Sequence, residues 1–73
     1  MKFKNKIRLD TFTDVQQFIN ITSHLEGKIV LTDGKHFSVN ARSVLGALYS
    51  LEWEELYVES EYDIYTEIQK FVI

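Results

Sequence analysis

The segment KIVLTDGKHFSVN, Lys28 to Asn40, constrains this chain more than any other. Two β-rich runs flank Asp33-Gly34, a pair that tolerates the positive φ of a type I′ turn, and together they predict a β-hairpin. Ile29 and Leu31 then share one face with Phe37 and Val39, because alternate residues of a strand point to opposite sides. A hairpin commits the fold to antiparallel pairing and requires further elements to cover its apolar face.

Those elements are legible on both sides. Lys2, Lys4, Lys6 and Arg8 occupy every second position near the start, which is the period of a strand with Phe3, Ile7 and Leu9 on its other face. In LYVES and the Glu55 before it, Leu56 and Val58 read as inward and Glu55, Tyr57 and Glu59 as outward. If the first and fourth strands are neighbours, Glu55 and Glu59 answer the cations across the sheet.

Between the first strand and the hairpin, Val15, Phe18, Ile19 and Thr22 follow helical spacing. Thr13 with Gln16 is a candidate capping box, giving a helix from about Asp14 to His24 that ends near Gly27. The stretch NARSVLGALYSL starts a second helix, with Asn40 or Ser43 as its cap. Ser60 with Asp63 caps a last helix whose Ile64, Ile68 and Phe71 form a buried stripe. The order β-α-β-β-α-β-α predicts an α+β open-faced sandwich, a four-stranded antiparallel sheet with helices packed on one face. The first six elements also match the ferredoxin-like order, which hosts small-ligand regulatory modules.

A chain of 73 residues is one domain, 1–73, with a modest core. It has no cysteine, so disulfides and thiolate metal sites are excluded. The N-terminus carries cations without an apolar run behind them, and no stretch approaches the ~20 apolar residues of a membrane helix. A cytoplasmic location, with no membrane insertion, is expected. The net charge of −3 works against sequence-independent binding to nucleic acid. No nucleophile stands beside a base, so the chain is not expected to be an enzyme, and no cofactor or metal is implied. His24 reads as a C-terminal cap or surface residue of its helix, and His36 as a solvated residue just past the turn. The acidic residues between 52 and 67 read as the solvated side of a strand and helix.

DGKHFSVNARSVLGALYSL resembles the centre of the HPr family, the small phosphocarriers of the bacterial sugar phosphotransferase system. The resemblance is carried by the hairpin, the VNAKS-like run VNARS and the apolar helix containing Gly46; more loosely, it extends over nearly the whole chain. It implies the open-faced sandwich and protein partners, among them phosphotransferase components and an HPr serine kinase. The family accepts phosphate on a histidine in a GLHARP-like segment at the start of the first helix. Here that segment is Leu9, Asp10, Thr11, Phe12, Thr13 and Asp14, so the phosphoacceptor position is occupied by Thr11. Asp10 and Asp14 add negative charge where a phosphoryl group would arrive. The expectation is a relative that has lost the phosphocarrier role, the alternative being a carrier with Thr11 as an atypical acceptor.

Ser43 matches the serine that, in many Gram-positive members, is phosphorylated by an ATP-dependent kinase. Two readings stand: a regulatory phosphosite on a helix N-terminus, or a plain helix cap. Val44, Leu45, Ala47, Leu48, Tyr49 and Leu51 cover more of the second helix than one buried stripe requires. The candidate partner-binding residues are therefore Val44, Leu45, Leu48, Tyr49 and the neighbouring Trp53, against the alternative of extra core. Gly46 is compatible with close backbone approach or with relief of crowding against the sheet.

Overall fold

The structure, a computed structural model, describes residues 2–73. Four strands, β1 (Phe3–Lys6), β2 (Ile29–Thr32), β3 (Ser38–Asn40) and β4 (Tyr57–Ser60), alternate with helices α1 (Phe12–Thr22), α2 (Val44–Ser50) and α3 (Tyr65–Ile68). A short 3₁₀ turn, Gln69–Phe71, continues α3. The fold is α+β, with one antiparallel sheet in the order β1-β4-β2-β3 and the helices on one face. The ferredoxin-like arrangement seats its first and third strands at the centre of the sheet; here they are its two edges.

Register explains the two faces. Lys4 stands opposite Glu59 and Lys6 opposite Tyr57, while Val30 and Thr32 continue the same rows. The alternate positions Ile29, Leu31, Leu56 and Val58 are buried under the helices with Val15, Phe18, Ile64, Ile68 and Phe71. Phe18 and Phe71 meet edge to face at 5.7 Å, a favoured aromatic geometry. Phe3 lies on this inner face, in the row of Ser60 and Ile29, but on the edge strand β1 it is left 37% exposed.

The boundaries correct several sequence readings. Helix α1 begins at Phe12, with Thr11 as its cap and Asp14, not Gln16, completing the box. The short Asp14 side chain accepts from the backbone N–H of both Asp10 and Thr11, so the helix starts two residues early. It ends at Thr22, with Ser23 as C-cap.

The hairpin connection is a five-residue loop, 33–37, not a two-residue type I′ turn. Type I′ needs positive φ at both central residues, and Gly34 alone of this pair has it, at +81°. The loop is closed by Asp33 Oδ1, which accepts from the N–H groups of Lys35, His36 and Phe37. His36 is thereby a loop residue, and Phe37 leaves the strand to stand 51% exposed. At the last helix no side-chain cap forms at Ile64; Asp63 instead accepts from Tyr65 N–H, and the Ser60 hydroxyl donates to Tyr62 O. The buried stripe of Ile64, Ile68 and Phe71 stands as expected.

Candidate functional site

At the start of α1, Thr11 is extended (φ −130°, ψ 166°). Its Oγ1 accepts from Asp14 N–H at 3.1 Å, and Asp14 Oδ2 accepts from Asp10 and Thr11 N–H at 2.9 and 3.3 Å. The exposed Asp10 carboxylate lies 3.6 Å from Arg8 Nε. The first turn thus carries its own anion, which is what the positive end of a helix favours. A second anion would meet two carboxylates and no free cation of its own helix.

The start of α2 is built differently. Ser43, not Asn40, is the cap: its Oγ accepts from Gly46 N–H at 3.1 Å. Asn40 closes the turn before it by accepting from Arg42 N–H. Ser43 is half-buried, and the first turn of α2 contains no acidic residue. Arg42, which the resemblance sets beside the phosphosite, points elsewhere. Its Nε donates to Thr22 O at 2.9 Å and its Nη2 to Leu25 O, so the guanidinium caps the carbonyl end of α1. Sequence spacing gave no sign of this tie, because the two partners lie 17 and 20 residues away.

Gly46 resolves as a close approach. A Cβ there would lie 3.1 Å from Val39 Cβ, so its absence lets α2 settle onto the edge strand β3. That seating buries Ala47 and Ser50 and turns the opposite side of the helix outward. Leu45 is 79% exposed, Tyr49 53% and Val44 46%.

Leu45, Leu48 and Tyr49 line an open hollow of about 610 Å³ with Ser43, Gly46 and Glu52. Trp53 joins it through Tyr49, the two rings meeting edge to face at 6.1 Å. On its other side Trp53 stacks on Phe37 at 6.1 Å and 17°. Val44 faces a separate hollow against Gln16, Ile19, Asn20 and Ser23 of α1 and its C-cap. Thr11 belongs to neither. Phe37 and Glu52 are members of this surface that the sequence reading missed. Phe37 was hidden by the misread turn, and Glu52 by its place in a long acidic run.

The open sheet face is charge-paired. Lys2 approaches Glu59 at 4.0 Å and Lys6 approaches Glu55 at 3.5 Å, while Lys4 Nζ lies 4.6 Å above the Tyr57 ring. Such exposed pairs contribute little individually. His24 Nδ1 pairs with Asn20 O at 2.7 Å, a helix-end contact in which the ring nitrogen donates. Three backbone N–H groups, Lys35 first, then Phe37 and His36, together with the charge of the His36 ring, hold the Asp33 carboxyl below its ordinary value.

Among the described residues no helix is long and apolar enough to cross a membrane, and no three acidic or histidine side chains cluster as metal ligands. No family model matches this sequence, and no curated protein or solved structure matches it either.

Proposed function

We propose that this chain is a cytoplasmic, non-catalytic protein-binding domain of the HPr kind, without a phosphoacceptor histidine and regulated by phosphorylation at Ser43. The observation that carries the reading is the contrast between the two helix starts. The phosphoacceptor position is Thr11, a cap that stands beside the carboxylates of Asp10 and Asp14. Ser43 caps α2 with no acid in its first turn and borders an exposed apolar hollow. The order of strands and helices agrees with the HPr pattern, and the position of β1 and β3 at the sheet edges speaks against a ferredoxin-like ligand module.

In the proposed modification, Ser43 Oγ attacks the γ-phosphorus of ATP and the bond to the β-phosphate oxygen breaks. ADP leaves and the hydroxyl proton passes to solvent or the kinase base. The product dianion would lie against backbone N–H groups of the first turn, where negative charge is favoured. It would also change the charge of the hollow's rim, and so which partner the apolar face accepts. Phosphotransferase components and an HPr serine kinase are the partners this reading names.

The carrier alternative is tested by intact mass after incubation with phosphoenolpyruvate and the phosphotransferase system's first enzyme. The expected result is no added phosphate. An acid-labile phosphate, or a stable phosphothreonine at Thr11, would overturn the proposal in favour of a working carrier.

A further inference from the structure

The hollow on α2 has apolar walls and one charged group. Leu45, Leu48 and Tyr49 supply the walls, and Glu52 is the only ionisable carboxylate in its lining. Glu52 is exposed, and among the described residues neither it nor Glu54 makes an ion pair. The last turn of α2 offers no basic residue to neutralise them. Tyr49, itself exposed, shares the hollow's lining with this carboxylate, and the Trp53 ring meets Tyr49 at 84°.

A hollow of this kind is complementary to a long side chain with an apolar stem and a cationic tip. Arginine fits better than lysine: its planar guanidinium forms paired bonds to a carboxylate and stacks on aromatic rings. The lysine-bearing sheet face, by contrast, has its charges answered internally. We infer that the α2 face takes an arginine flanked by apolar residues from its protein partner, with the guanidinium between Glu52 and the Tyr49–Trp53 rings. This rests on the protein-binding reading above and specifies the partner's chemistry.

The test uses two probe peptides, acetyl-Gly-Leu-Arg-Leu-Gly-amide and its Arg→Gln counterpart. They are titrated into the ¹⁵N-labelled chain while Trp53, the single tryptophan, reports by fluorescence. The arginine peptide is expected to shift the amides of Leu45, Tyr49 and Glu52 and to bind roughly three- to fivefold more tightly than the glutamine peptide. Glu52→Gln is expected to erase that preference by lowering arginine-peptide affinity to the level of the glutamine peptide, and because Glu52 is exposed the variant's own spectrum remains native. Equal binding of both peptides at the hollow would overturn the arginine inference and leave the docking face standing. Shifts confined to the acidic surface of α3 would overturn it too. No shift on α2 with either peptide would overturn both readings. Shifts of Tyr49 and Glu52 on dilution without peptide would identify a second copy as the occupant and likewise overturn it.

Discussion

At the start of α1 the Thr11 hydroxyl and the Asp14 carboxylate each satisfy backbone donors of the other's residue, whereas at the start of α2 Ser43 holds one N–H alone. Both are hydroxyl caps on extended residues. The neighbours make the difference. Asp10 and Asp14 turn the first end into a self-satisfied acidic tip, while Gly46 lowers α2 onto β3 and leaves Leu45 and Tyr49 beside the second. A helix terminus is therefore available to an incoming group only when its own side chains leave it so.

The largest effect should come from the residue that ties the start of α2 to the C-terminal end of α1. Arg42 lies next to Ser43 in sequence but bonds to Thr22 O and Leu25 O. Arg42→Ala removes two charge-assisted bonds to a helix C-terminus and should cost about 2 kcal/mol, read from urea unfolding followed by Trp53 fluorescence. An unchanged midpoint would mean that the Arg42 tie adds nothing to the stability of the folded chain.

The caps come next. Thr11→Ala and Ser43→Ala should each cost about 1 kcal/mol in the same assay. Asp14→Ala should match them, because it releases two N–H groups at once; α2 has no counterpart to lose. An Asp14→Ala variant as stable as the native chain would break the comparison.

A smaller effect is expected from acid. The Asp33 carboxyl is held below its ordinary value of 3.8, so the unfolded chain takes up this proton more readily than the folded one. Its stabilising contribution is complete above pH 3.8 and disappears as pH falls below that through the lower folded value. Asp33→Asn should flatten this part of the stability profile, measured by thermal unfolding across the acid range. Leu45→Ser should move stability least, by under about 0.5 kcal/mol, since the side chain is 79% exposed, yet it should remove partner binding.

How much of this was legible in the sequence follows the range of the forces involved. Strand and helix order, the buried stripes and the Lys–Glu face come from periodicity, which is local and repeated. The caps of α1 and α3 were misplaced because several Thr, Ser and Asp residues compete for each end. Geometry two or three residues long decides among them. Asp33-Gly34 looks like a two-residue turn until one carboxylate gathers three N–H groups and lengthens the loop. That one change moves Phe37 out of the strand and onto Trp53. The apolar excess of α2 was readable as composition. Which of its residues share a hollow, and that Arg42 is engaged elsewhere, depend on contacts with residues distant in sequence.

The most direct measurement is the intact mass of the chain after incubation with ATP and an HPr serine kinase, run beside Ser43→Ala. The account predicts one added phosphate on the native chain and none on the variant. No added mass on either, or the same mass gain on both, would contradict the claim that the functional helix start in this molecule is that of α2.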